Sequence, residues 1–414
     1  MKKALAIGID RFKKGLLPYY IEELKNLALS VDIDIINVMT QDASLTTPAY
    51  RIGRGKVDEV STFIHDNEVD FVIFNDELTN TQIRNLEEAF DRPVIDRTLL
   101  ILEIFAKRAR TKEAMLQVEI AQLRYLKPRL SAMRTSFAQQ QGGIGQKGPG
   151  EKMLELDRRK IDRDIQKLKR QLDNIVKVRQ TNRAKRQSGP IRNVAIVGYT
   201  NAGKSTLMNK MLEHSIQENG NTSPVHDRLF ATLETSTRRV QFKDKKPFTL
   251  TDTIGFIAQL PHELVDSFKA TLEEIREADL LLHVIDFSHP YYLDQIQTTQ
   301  NVLEELGCDT IETLYIFNKM DIHNAILPHS YKPAIKVSLK ENINIDILMD
   351  EIINILFRSD TVAVYAIPQT RGDLINLLNE TAEILDTSYE KNNIVRIKAR
   401  VGTIIKNQLR QYEV

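Results

Sequence analysis

The residues Gly198-Tyr199-Thr200-Asn201-Ala202-Gly203-Lys204-Ser205 carry the glycine spacing, lysine and hydroxyl of a phosphate-binding loop. The glycines let successive backbone N–H groups point into one concavity that holds phosphate oxygens. Lys204 is then placed to reach the β- and γ-phosphates, and the Ser205 hydroxyl to ligate Mg²⁺. The apolar run over 194–197 reads as a buried parallel strand, and residues 206–212 read as the start of a helix. That strand–loop–helix order is the context such a loop requires. The loop implies a nucleotide without choosing its base.

The base is chosen by Asn318-Lys319-Met320-Asp321, after the strand-like run 313–317. A carboxylate at Asp321 can accept from both N1–H and the exocyclic amine of guanine, whereas adenine offers neither donor on that edge. Sites built on such bonds reject the wrong ligand by ~10⁴–10⁵. Lys319 would lay its aliphatic stem on the base, and Asn318 would tie the base to the phosphate loop. Ser338-Leu339-Lys340, after a strand-like 334–337, would offer backbone N–H groups to the guanine oxygen. These residues imply GTP rather than ATP.

Two further motifs lie between them and would report the γ-phosphate. Asp252-Thr253-Ile254-Gly255 ends a strand-like stretch, with Asp252 suited to supporting Mg²⁺ and Gly255 to a close backbone approach. Earlier, Phe230-Ala231-Thr232-Leu233-Glu234 carries a threonine where a first switch needs a hydroxyl on Mg²⁺. Each motif alone is weak; four in order on matching elements are specific. Lys204, Thr232 and Asn201 are the candidates for a catalytic part. Phe256 follows Gly255 where signalling GTPases carry a water-orienting glutamine, so slow intrinsic hydrolysis is expected. Asn201 either coordinates K⁺, as in GTPases with this loop pattern, or only closes the turn.

The chain of 414 residues is too long for one core. One cysteine, Cys308, excludes a disulfide framework and fits a reducing compartment. The apolar run near Met1 is too short for a signal core, and no run approaches the ~18 apolar residues of a membrane span. A cytoplasmic monomer is expected. The net charge of +1 hides a segregation: residues 97–188 hold 23 Lys/Arg against 9 Asp/Glu, a net of +14, leaving −13 elsewhere. A polyanion partner at that module is implied.

The site thus needs an α/β domain with parallel strands, and the rest of the chain supplies other parts. The expected fold is α/β and multidomain: an N-terminal α/β subdomain over 1–96, a basic helical hairpin over 97–188, a P-loop GTPase domain over 190–358 and a small α+β domain over 360–414. In the first, strands are expected at 4–9, 33–38, 71–74 and 93–96, with helices between. Arg51-Ile52-Gly53-Arg54-Gly55-Lys56 lacks the spacing of a phosphate loop and reads as a plain entry into a helix. In the hairpin, Leu116, Ile120, Leu123 and Leu130, then Ile161, Ile165, Leu168, Leu172 and Ile175, form two narrow stripes. Pro128 should kink or end the first arm. The glycine-rich, acid-poor tip at 139–151 is either a flexible connector or a probe among phosphates. The tail predicts β–α–β–α, with a helix over 374–385.

Gly142-Gly143-Ile144-Gly145-Gln146-Lys147-Gly148-Pro149-Gly150-Glu151, with Leu154-Glu155-Leu156-Asp157-Arg158-Arg159 after it, resembles the HflX family of ribosome-associated GTPases. The stretches 51–56 and 229–237 resemble it too. The resemblance implies a GTPase domain of the translation-factor class, binding to the large ribosomal subunit and ribosomal RNA, and splitting or rescue of stalled or idle ribosomes, often under stress. It places nucleotide contacts on Gly198–Ser205, Phe230–Glu234, Asp252–Gly255, Asn318–Asp321 and Ser338–Lys340, and Mg²⁺ on Ser205 and Thr232. Glu234-Thr235 stands where the family commonly has Asp-Pro, and Leu339 where it has alanine.

Two other functions compete. One is an RNA-binding assembly or storage factor with GTP as a structural ligand, which Phe256 favours and the full switch apparatus disfavours. The other is an RNA-modifying enzyme, for which the chain offers no nucleophile pair or cofactor motif. His226 and His262 lie near the switches, where surface or satisfied roles are the simpler assignment.

Overall fold

The computed structural model describes residues 1–10, 15–138, 149–187, 191–216, 236–243, 245–258, 275–323, 325–390 and 393–414. The expected first switch (Phe230 to Glu234), His226, His262 and most of the glycine-rich tip lie outside these residues. The described chain divides into two compact units, residues 1–176 and 177–414.

In the first unit, β1 (Lys2–Asp10), β2 (Ile33–Asp42), β3 (Phe71–Phe74) and β4 (Val94–Asp96) form a parallel sheet in the order β2-β1-β3-β4. Parallel pairing needs crossovers, and α1 (Leu17–Ser30), α2 (Arg54–Asn67) and α3 (Asn80–Phe90) supply them. The strand β3 is apolar at every position because both of its faces are covered. Gly53 caps α2 in an extended conformation, so residues 51–56 are an entry into a helix.

The helices α4 (Arg97–Arg108) and α5 (Lys112–Ala138) follow. The first half of α5 buries Leu116, Val118, Ile120 and Tyr125, a wider face than a two-helix seam requires. Asp96 fastens it to the sheet, accepting from the Tyr125 hydroxyl at 2.8 Å, Arg129 Nη2 at 3.1 Å and the Leu99 N–H at 2.9 Å. Pro128 does not end the helix, contrary to one of the two outcomes expected of it. The adjacent Arg129 donates to Tyr125 O at 2.8 Å and to Asp96, anchorage that offsets the missing proline amide.

The helix α6 (Pro149–Gln187) has 39 residues, a length of ~58 Å. It meets α5 through Lys127 Nζ and Asp162 Oδ1 at 2.5 Å. Ile165 is buried, while Arg158, Arg159, Lys160, Arg163, Lys167 and Arg170 are exposed.

The second unit contains a six-stranded sheet, ordered β10-β9-β8-β5-β7-β6. Its strands are β5 (Arg192–Gly198), β6 (Ser236–Val240), β7 (Phe248–Asp252), β8 (Leu280–Asp286), β9 (Thr313–Asn318) and β10 (Ala334–Lys336). All pairings are parallel except β6 with β7, which form a hairpin. Among the described residues, the helices α7 (Lys204–Glu213), α8 (Tyr292–Glu305) and α9 (Ile345–Leu356) belong to this part, and its core joins Ile196, Leu207, Leu250, Leu282, Ile316 and Leu348.

The tail forms an antiparallel sheet, β11-β13-β12, from β11 (Thr361–Pro368), β12 (Glu383–Glu390) and β13 (Ile394–Val401). The helices α10 (Gly372–Thr381) and α11 (Thr403–Gln408) pack with it around Tyr365, Leu378, Ile397 and Ile405. The expected helix over 374–385 is corrected: it stops at Thr381 and a strand follows. This strand lies at a sheet edge and is exposed from Leu385 to Glu390, so no apolar alternation marks it in the sequence. No helix among the described residues is long and apolar enough to cross a membrane.

Candidate functional site

The central strand β5 ends at Gly198, and the loop to α7 wraps back over its tip. Gly203 has φ +105°, and a methyl group there would lie 2.5 Å from Asn318 Nδ2. Only glycine meets both constraints. Asn201 is left-handed at φ +62°, a conformation asparagine tolerates better than most residues. Ala202 is fully buried.

Lys204 opens α7 from a buried position and donates from Nζ to Tyr199 O at 2.6 Å. Burial lowers its pKa to about 8, with the nearby Asp252 acting in the opposite direction. Ser205 Oγ donates to Asp252 Oδ2 at 3.0 Å, and Asp252 is buried at the end of β7. A hydroxyl beside a carboxylate is a hard-oxygen set that fits Mg²⁺. Thr253 Oγ1 donates to Ile196 O at 2.6 Å, which ties the start of the Asp-x-x-Gly turn to β5. Ile254 is buried behind it.

On the other side of β5, Asn318 ends β9 and joins two loops. Its Nδ2 donates to Ala202 O at 2.9 Å, and its Oδ1 accepts the Leu339 N–H at 3.1 Å. The Ser338 N–H donates to Ile343 O at 3.2 Å. A guanine oxygen would therefore share or displace the Leu339 bond. The Met320 N–H donates to Val337 O at 3.1 Å, while Asp321 and Lys340 are exposed. Lys319, at φ +64°, pairs from Nζ with Asp286 Oδ2 at 2.7 Å.

Sequence reasoning missed two contributors, Asp286 and His283. Asp286 steadies the Lys319 stem and also accepts from Ser288 Oγ at 2.6 Å. It ends a strand like many aspartates, so nothing in the sequence singles it out. His283 on β8 pairs in register with Val197 and is buried; burial foremost, then the Lys204 charge, lowers its pKa to about 3. Tyr199, already placed in the phosphate loop by its sequence position, makes one bond the sequence does not announce: its hydroxyl accepts the Ala258 N–H at 2.7 Å.

Residues 193–319 match the family described as 50S ribosome-binding GTPase. Residues 19–106 match the GTP-binding GTPase N-terminal family, and residues 108–186 match the GTP-binding GTPase Middle Region. The GTPase HflX of Caldanaerobacter subterraneus subsp. tengcongensis is 41% identical over 95% of this chain and 90% of its own length. The chain belongs to the HflX family of GTPases. The GTPase HflX of Escherichia coli is 42% identical over 73% of this chain and 69% of its own. A GTP-binding protein from Sulfolobus solfataricus, solved with GDP, is similar over 86% of this chain and 99% of its own, at 23% identity and TM-score 0.46. As an HflX GTPase, the chain binds guanine nucleotides and hydrolyses GTP, the chemistry its four motifs imply.

Proposed function

We propose that this HflX GTPase binds the large ribosomal subunit through its basic helices and splits or rescues stalled or idle ribosomes under stress. The observation that carries this is α6. Its basic side chains from Arg158 to Arg170 are exposed along a single helix of 39 residues. A solvated row of cations at helical spacing suits the phosphates of ribosomal RNA. The 50S ribosome-binding description of the matching GTPase family supports the same partner. In this reading the protein works in the cytoplasm.

Within the site, Lys204 would neutralise the β- and γ-phosphates, and the Gly255 N–H would detect the γ-phosphate. Asp321 would read the guanine edge. Ser205 and Thr232 would hold Mg²⁺, which when bound screens the phosphate charge. Phe256 is 3% exposed, so its ring offers nothing to an attacking water. Hydrolysis by the free protein is then slow, and ribosomal particles accelerate it by ordering the switches or supplying a group. Replacing Na⁺ by K⁺ distinguishes the two roles open to Asn201: faster turnover in K⁺ assigns it an ion, and equal rates a turn.

Sedimentation of ribosomes with the protein tests the proposal. Subunits should separate with GTP or a non-hydrolysable analogue and remain joined with GDP. Binding to the large subunit without separation would favour an assembly factor, and no binding in any nucleotide state would reject both.

A further inference from the structure

The turn that carries Gly255 is held at both ends. Upstream, Thr253 is bonded to β5 through Ile196 O. Downstream, residues 256–258 are laced to the phosphate loop itself. The Phe256 N–H donates to Gly198 O at 3.2 Å, and the Thr200 N–H donates to Phe256 O at 2.8 Å. These bonds make a parallel bridge between Tyr199 and Phe256. One side chain completes the lacing: Tyr199, 4% exposed, accepts the Ala258 N–H on its hydroxyl at 2.7 Å. Between the two anchors, Gly255 is pressed on the loop. A methyl group there would lie 2.8 Å from Lys204 Nζ and 2.9 Å from Thr200 Cγ2.

We propose that Tyr199 is a positioning residue for GTP hydrolysis, acting through its hydroxyl on the Ala258 N–H to set where the Gly255 N–H meets the γ-phosphate. The hydroxyl does not need to touch the nucleotide. Its position in the phosphate loop makes it the bond between the element that holds the phosphates and the element that senses the last of them. The backbone bridge alone fixes residue 256. The phenol extends the hold by two residues, which limits the rotation of the turn about that bridge. The lacing also buries the Phe256 side chain, so this stretch contributes backbone geometry to the reaction. GDP lacks the group that Gly255 meets, so the loss of the bond should fall on GTP.

This inference rests on the GTPase reaction and not on the ribosomal proposal, and its test uses no ribosomes. The full-length Tyr199→Phe variant deletes one hydroxyl and keeps the ring. Single-turnover hydrolysis should slow by on the order of tenfold to a hundredfold, the range of small misplacements at a reacting centre. GDP affinity should stay within about twofold, and the preference for a non-hydrolysable GTP analogue over GDP should shrink. Ala258→Pro removes the donor from the other end; where it folds, it should reproduce these changes, and the double variant should add little. Unchanged hydrolysis with an unchanged preference would overturn the proposal. An equal loss of GDP and GTP-analogue affinity would also overturn it, making Tyr199 part of the loop scaffold only.

Discussion

Lys246 forms an ion pair with Asp360 in which both side chains are 3% exposed. Lys246 lies in the turn between β6 and β7, and Asp360 stands directly before β11. The pair joins the hairpin that precedes the Asp-x-x-Gly turn to the start of the C-terminal sheet. Arg239 on β6 adds a bond to Glu380 O at 2.9 Å.

Removing one partner should be costly. Lys246→Ala leaves the Asp360 charge buried and unpaired, a loss of ~3–5 kcal/mol, whereas Lys246→Met with Asp360→Leu should recover most of it. Chemical denaturation of the three proteins measures this. A single variant as stable as the parent would show that water reaches the pair.

The base assignment rests on Asp321. Asp321→Asn should weaken GTP binding by about a hundredfold or more, because charge-assisted bonds worth ~1.5–3 kcal/mol each are lost. The same change should improve binding of xanthine nucleotides, whose C2 oxygen can pair with the new amide. Direct titration decides, and unchanged GTP affinity would place base recognition elsewhere.

Lys204 should make nucleotide binding depend on pH. Its pKa in the free protein, about 8, is below the ordinary 10.5, so the unfolded chain holds more protons between those values. The stability of the nucleotide-free protein should therefore rise with pH across that window. GTP affinity should move the other way, because phosphates favour the charged lysine. Binding at pH 9 should take up a proton, read by calorimetry in two buffers of different ionisation enthalpy. Lys204→Met should abolish the uptake.

Binding through α6 should weaken steeply with salt, with a slope that falls by ~0.7–0.9 for each lost phosphate contact. Reversing Arg158, Arg159 and Arg163 to glutamate should weaken binding to ribosomal particles and flatten that slope. GDP affinity should be unaffected. Filter binding across a salt series checks both.

Much of this site is legible in the sequence because its parts are contiguous. The phosphate loop, Asp252–Gly255 and Asn318–Asp321 each act as short runs at strand ends, and the apolar runs before them identify those strands. What escapes is whatever depends on register between strands. Asp286 reaches Lys319, and His283 sits beside Val197, only because β8 lies between β9 and β5. Tyr199 meets Ala258 across 59 residues of chain, and neither residue type announces a partner. Pro128 and β12 fail for the opposite reason: local preference points one way, and anchorage by Arg129 or pairing with β13 decides the other.

The strand order gives the nucleotide site two flanks. From β5 outward, β8, β9 and β10 lead to the residues assigned to the base, whereas β7 and β6 lead to those assigned to the γ-phosphate. Under the proposed assignment, identity of the ligand and its charge state would be interrogated by opposite wings of one sheet, joined at the central strand and its loop. Lesions on the two wings should therefore be separable: a change of base preference can arise without a change in timing, and the reverse. Asn318, bonded to Ala202 in the shared loop, is the residue at which that independence should fail.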